Sequence, residues 1–244
     1  MKKELEVKSQ EANLTVLSAS DANLWGNDQI GSNDIIIPRI LVMQGLSEFV
    51  TSGKAKFGDF VNSLSEKVVG SIASPLEFIP FYIDKVQKVS KEVNGKYVID
   101  HFEPLTPVNE KYPWEDFKDG KKIKRENSYN VYAVLPGYEL PVMLSFKSTS
   151  IKTGKEIATQ MYAINMQTRK IAPCSSVMIL SGEKRQNDKG VFTVTHAKVA
   201  NDATKEQIAE CAKWIQIVKS GNAQAAPEED EIPSGLHQAS NTEF

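Results

Sequence analysis

Between residues 75 and 200 the chain repeatedly writes a run of β-branched and aromatic residues, breaks it with glycine, proline or asparagine, and later begins another. Such runs cannot bury themselves alone. They need neighbours in a sheet, and the breaks dictate which neighbours they get. "PLEFIPFYIDKVQKVS" and "NGKYVIDHF" are separated by Asn94-Gly95, a pair that readily takes the left-handed conformation of a tight hairpin. "SYNVYAVLPG" and "ELPVMLSFKS" turn at Pro136-Gly137, while "SSVMILSGEKRQ" and "GVFTVTHAKVA" turn through Asn-Asp-Lys-Gly at 187–190. Upstream, order is predicted to begin near "DIIIPRILVMQ", where Pro38 has no N–H for a ladder and so delays the strand or holds it at an edge. "GKAKFGDFVNSL" reads as a turn and then a short strand.

Two segments follow a helical period instead. In "GKEIATQMYAINMQTRK", Ile157, Met161 and Ile164 recur on one face. "TKEQIAECAKWIQIVKSG" opens with Thr204 and Gln207 at capping-box spacing, carries Ile208, Cys211, Ile215 and Val218 as an apolar stripe, and closes at Gly221. Short strands with one helix between them and one at the end predict a mainly β fold with two helices, a β-barrel of OB type with α+β elaborations. Residues 1–33, polar with Trp25 alone, are expected to form a flexible N-terminal arm, 34–220 the body, and 221–244 a disordered acidic tail. Residues 103–127 contain three prolines and dense mixed charge, which predicts a long excursion loop.

Most catalytic chemistries lack their residues. There is no G-x-S-x-G, H-E-x-x-H or G-x-G-x-x-G pattern. "KTGKE" at 152–156 resembles the end of a phosphate loop, but Thr149 stands where its first glycine belongs and Glu156 where Ser or Thr belongs. Asp34, Asp59, Glu77 and Asp84 read as solvated carboxylates of turns and strand ends. Cys174 and Cys211 stand in unrelated contexts and, with His101, His196 and His237, give no metal-ligand spacing. No apolar run approaches the roughly 18–20 residues of a membrane span, and "MKKELEVKSQEANL" has no apolar region of a secretory signal. The expectation is a cytoplasmic protein with no cofactor, no metal and no enzymatic activity.

Charge is more informative. No Lys or Arg follows Lys219, whereas Glu228, Glu229, Asp230, Glu231 and Glu243 do. Of 29 basic and 31 acidic residues in all, the part without those five acids keeps 29 bases against 26 acids. From Gly120 to Ser220 the ratio is 16 basic to 8 acidic. The cations cluster as Lys121, Lys122, Lys124 and Arg125; Lys147, Lys152 and Lys155; Arg169 and Lys170; Lys184 and Arg185. Aromatics adjoin them at Tyr129, Tyr132, Phe146, Tyr162 and Phe192. Single-strand binding needs this pairing, with cations along the phosphates and flat rings under the bases. Alternation puts Tyr129, Val131, Ala133 and Leu135 on one face of their strand and Tyr132 and Val134 on the other. "LSFKSTSIKTGKE" adds hydroxyls and leads into a helix whose first amides favour anions.

A β-rich basic core, the acidic "PEEDEIP" and a terminal Phe244 together resemble phage-type single-stranded DNA-binding proteins. "IPRILVMQGLSEFVTSGKAKFGDFV", "EFIPF" and "LPVMLSFKSTSIKTGK", within residues 35 to 200, also look like small phage proteins of the replication region. The resemblance implies an OB-like body that binds single-stranded DNA. It also implies a tail (Glu228, Glu229, Asp230, Glu231, Phe244) that contacts replication or recombination proteins and competes with DNA for the groove. Bacterial single-strand binders end in an acidic Ile-Pro-Phe tip, whereas eleven residues follow "EEDEIP" here, so the docking element is either Ile232-Pro233 or Phe244. The expected function is non-catalytic single-stranded DNA binding in phage or mobile-element replication or recombination, with room for a homo-oligomer. The alternative is a phage structural or assembly protein whose β domain self-associates.

Overall fold

The computed structural model describes residues 34–118, 120–168, 174–188, 190–220 and 224–225. Its first strands are β1 (Ile36–Ile37), β2 (Arg39–Val42), β3 (Asp59–Asn62), β4 (Val68–Ser71), β5 (Leu76–Val93) and β6 (Lys96–Pro104). They are followed by β7 (Glu115–Lys118), β8 (Lys121–Val134), β9 (Val142–Lys147), β10 (Ser176–Asn187), β11 (Gly190–Asp202) and β12 (Gln224–Ala225). The helices are α1 (Glu48–Thr51), α2 (Ile151–Thr168) and α3 (Lys205–Lys219).

The main sheet has the order β11-β10-β5-β8-β9-β2-β3-β4, antiparallel except where β2 meets β9. All three hairpins expected from turn chemistry form. Asn94 and Gly95 take φ of 53° and 77° between β5 and β6, Gly137 takes 81° between β8 and β9, and Asn187 stands opposite Gly190 between β10 and β11. Pro80, near the start of β5, is accommodated where the ladder to β8 shifts register between Pro80 and Tyr82. Pro38 separates β1 from β2, and its carbonyl accepts from Met143 N–H at 2.9 Å.

The sheet curls strongly, giving the mainly β, barrel-like α+β fold expected. Three contacts draw its ends together. Gln44 Oε1 accepts from Thr193 N–H at 2.9 Å, Lys184 Nζ sits 5.8 Å from the Phe57 ring, and Gly182 lies against Ile72. A Cβ at Gly182 would fall 2.8 Å from Ile72 Cγ2, so glycine is what permits that approach. α2 packs on the inner side of the curl. Ile157 and Met161 join Tyr129, Val131, Phe146 and Leu180 in one core, and Thr153 Oγ1 donates to Thr195 O on β11. The opposite face carries a second core beneath α3, built from Ile79, Phe81, Val134, Met143, Cys211 and Val218. α3 keeps its capping box, with Gln207 N–H donating to Thr204 Oγ1 and Thr204 N–H to Gln207 Oε1.

Several expectations are corrected. Residues 103–127 are not a long loop. They contain β7 and the start of β8, so the second half of β5 and the first half of β8 form a ribbon ordered β6-β5-β8-β7. "KKIKRE" is strand, paired with β7 and β5, with Lys121 and Lys122 left in solvent and Arg125 and Glu126 largely buried in ion pairs. α2 begins at Ile151, three residues before Gly154, and "KTGKE" is helix rather than a phosphate loop. A one-turn helix, α1, accompanies the two expected. Gln224 and Ala225 pair in parallel with Ile36 and Ile37, carrying the body past residue 220. Cys174 and Cys211, distant in sequence, meet on the buried side of α3, where the hydrogen bond with Cys174, and then burial, push the Cys211 thiol upward. The arm (1–33), residues 169–173, Gly221 and the acidic segment lie outside the described residues.

Candidate nucleic-acid interface

Alternate residues of β8 point away from the α2 core: Lys122, Lys124, Glu126, Ser128, Asn130 and Tyr132. Across the ladders they face Asp84, Val86 and Lys88 of β5, and Met143, Ser145 and Lys147 of β9. α3 covers the Tyr132 end, where Tyr132 and Tyr82 pack with ring centroids 5.8 Å apart. Beyond it the face opens into a hollow of about 280 Å³, lined also by Arg39, Phe102 and Ala225.

Glu126 organises the charge. Its carboxylate lies 3.0 Å from Lys88 Nζ and 3.9 Å from Lys147 Nζ, and it accepts from Ser148 Oγ at 3.1 Å. The Glu126 and Lys88 side chains are each only 16% exposed, so this network fixes where the cations sit. Asp84, half-buried in the same hollow, has its carboxyl held above the ordinary carboxylate range by burial, and the Lys85 backbone hydrogen bond only partly offsets this. Burial, then the charge of Asp84, also raises the Tyr132 hydroxyl.

Along the ribbon the same face continues. Lys124 Nζ lies 4.6 Å from the Trp114 ring centroid and 5.5 Å from that of Tyr97, while Lys122 Nζ stands 4.0 Å from Glu92. Tyr97, Phe102 and Trp114 keep large parts of their rings exposed. At the other end, β2 and β9 splay apart over a second cavity of about 760 Å³, lined by Leu41, Val42, Val191 and Phe192, by Ser145, and by Lys147 to Ser150. Ser148 there adopts φ of 50°, unusual for a side-chain-bearing residue. Arg39 and Lys147 line both hollows.

The residues picked from sequence separate into groups. Lys147 and Lys122 share the open face, and Tyr132 lies on the same side but under α3. Phe146 is corrected: at 2% exposure it belongs to the α2 core, and no side of its ring is left for a base. Tyr129 is buried there too. Arg125 alternates to the other side, 11% exposed, bound to Asp116 at 3.1 Å and stacked 5.0 Å from the Tyr112 ring. The Phe117 backbone N–H, then Arg125, hold the Asp116 carboxyl below its ordinary range. Lys121 is exposed beside Lys118. Lys152 projects into solvent near Glu156, and Lys155 is tied to Glu110, so neither converges with Lys147 on the face. Arg169, Lys170, Glu228, Glu229, Asp230, Glu231 and Phe244 lie outside the described residues.

Arg39, Lys88, Tyr97, Phe102 and Trp114 were not singled out by sequence reasoning. They lie outside the 120–220 charge window, and only the pairing of β5 with β6 and β8 brings them alongside. The arrangement offers cations and flat apolar surface on one face. Among the described residues no three His, Cys, Asp or Glu side chains group at metal-ligand spacing, and no helix is long and apolar enough to cross a membrane.

A family model, described as Pam3 phage gp34-like protein, matches residues 7–224. The chain therefore belongs to the Pam3 phage gp34-like family, a family of phage proteins. No curated protein and no solved structure matches it.

Proposed function

We propose that this chain is a non-catalytic single-stranded DNA-binding protein of phage replication or recombination, working in the host cytoplasm. One observation carries the reading. Lys88, Lys122, Lys124 and Lys147 fall on the same uncovered sheet face as the exposed rings of Tyr97, Phe102 and Trp114. Cations alone would hold any polyanion, but rings can stack only on bases that a duplex keeps inside, so the combination favours single strands. Glu126 and Asp84 dilute the positive charge, which suits a binder that must be displaced by replication enzymes.

The acidic tail fits the same reading. Ala225 lines the hollow, and Glu228 follows three residues later, about 10 Å of extended chain. Tethered there, Glu228, Glu229, Asp230 and Glu231 compete with phosphate, and Ile232-Pro233 or Phe244 is left to engage partner proteins. The test is a salt titration of binding to a fluorescent oligonucleotide, run beside a duplex of equal length. Tight low-salt binding of the single strand with a steep negative log–log slope is expected. Equal or stronger duplex binding, or none at low salt, overturns the proposal.

A second reading is an assembly protein. It draws on a different feature, the exposed apolar residues of the ribbon and of the connection from β6 to β7: Val93, Val98, Val108, Tyr112 and Phe117. It predicts concentration-dependent self-association without DNA, which light scattering after size-exclusion chromatography measures directly.

A further inference from the structure

β2 and β9 run parallel but stay paired for only two residues, Arg39 opposite Met143 and Ile40 opposite Leu144. Past that point they part, and the cavity of about 760 Å³ opens between them. The ladder to β3 decides which backbone groups turn into it. Ser63 N–H donates to Arg39 O and Met43 N–H to Asp59 O, so residues 39, 41 and 43 address β3. Alternation turns the N–H and C=O of Val42 the other way, beyond the last rung shared with β9. Phe192 supplies an aromatic side of the cavity, and Thr149 and Ser145, whose hydroxyl donates to Asn130 Oδ1 at 2.8 Å, are among its other lining residues. Arg39 and Lys147 stand at its junction with the smaller hollow.

We propose that this cavity is a nucleobase pocket. It takes one base of a bound strand, turned out of the stack, while Arg39 and Lys147 receive the flanking phosphates. The inference rests on the single-strand reading above. A base is a flat apolar ring with a donor–acceptor edge. Phe192 meets the ring, and the Val42 backbone meets the edge with one donor and one acceptor. Every base presents some such pair, so the pocket accepts bases with little sequence preference. The volume lies in the range of small-ligand sites, about 300–1,000 Å³. An apolar peptide would satisfy the walls yet bring no anion to Arg39 and Lys147. Turning a base out of a single strand costs only the stacking it gives up, with no pair to break.

The experiment compares wild type, Phe192→Ala and Phe192→Leu on two oligonucleotides of equal length. One is oligo-dT with a single 2-aminopurine, and the other is the matching abasic deoxyribose-phosphate chain. The leucine variant keeps apolar bulk on the strand and carries the test if alanine impairs folding. Loss of one base–ring stack is expected to weaken binding of the base-bearing strand at least about fivefold. The abasic chain should bind all three proteins alike, and 2-aminopurine emission should change on binding to wild type far more than to the variants. If both variants bind the base-bearing strand as wild type does, while loss of Lys147 still weakens it, the pocket is refuted and the single-strand reading stands. If wild type binds neither oligonucleotide at low salt, the single-strand reading falls and the pocket falls with it.

Discussion

The two faces of β5, β8 and β9 are made of alternate residues in the same three segments, yet they do opposite work. On one side Tyr129, Val131, Ala133, Leu144 and Phe146 meet α2 in a dry core. On the other Lys88, Glu126, Ser128, Asn130 and Lys147 line a hollow open to solvent. Helix coverage makes the difference. α2 lies along the inner side of β8, β9 and β11, whereas α3 covers the outer face only at its Tyr132 end, so the ribbon and the hollow are left bare. Stability is concentrated on one side of the sheet and candidate recognition on the other, which allows them to be perturbed separately.

The largest separation is expected from Phe146→Ala. Truncating a fully buried phenylalanine removes its burial and leaves a void, at a cost of about 3–5 kcal/mol. Chemical denaturation should show that loss, while any protein still folded keeps its affinity for single strands. A variant that folds normally yet binds poorly would mean the ring does reach DNA, and the division between the faces would be wrong.

The opposite pattern is expected when Lys122, Lys124 and Lys147 are changed together to alanine. Each lost phosphate contact reduces the log–log salt slope by about 0.7, so the triple variant should lose roughly 2 from the slope. At low salt that is on the order of 10- to 100-fold in affinity. The denaturation midpoint should move little, because Lys88 stays 3.0 Å from Glu126 after Lys147 is gone. Lys152→Ala with Lys155→Ala should do much less to binding, since Lys155 is already tied to Glu110. If that double variant proves the more damaging, the interface lies along α2 instead.

Much of this division was legible in the residues. The alternation Tyr129, Val131, Ala133 against Tyr132, Val134 assigned both faces of β8, because a period of two survives whatever the strand packs against. Asn94-Gly95 and the Thr204–Gln207 box located a hairpin and a helix start for equally local reasons. The ribbon was not legible. Lys121 to Glu126 carry five charges around a single apolar residue, Ile123, so no alternation signals a strand, and only pairing with β5 and β7 makes them one. Phe146 looked like a platform because it adjoins Lys147, but adjacent strand residues point to opposite faces. Arg39 and Lys88 carry no local signal at all. Only the ladders β2–β9 and β5–β8 bring them to Glu126 and Lys147.

Deleting residues 226–244 should sharpen the open face rather than blunt it. The segment removes Glu228, Glu229, Asp230, Glu231 and Glu243 and leaves Ala225 in its strand. A short tether can hold a competing group at effective concentrations in the millimolar range. Single-strand affinity should therefore rise several-fold at low salt, with the gain fading as salt screens the competitor. A tail that serves only solubility predicts equal dissociation constants across the salt series.

The smallest effect tests whether Asp84 opposes binding. Burial raises its folded-state pKa, so folding favours the protonated carboxyl. That contribution to stability is present below the unfolded pKa and is lost as pH rises through the folded one. At neutral pH the ionised group therefore weakens the fold slightly and repels phosphate from the hollow it shares with Lys88 and Lys147. Asp84→Asn should bind single strands about two- to threefold more tightly at pH 7.5, a screened interaction of well under 1 kcal/mol. The advantage should disappear as pH falls through the raised pKa, where the wild-type carboxyl is neutral as well. An advantage unchanged down to pH 4, or weaker binding by the asparagine variant, would mean that Asp84 holds the hollow's shape rather than its charge.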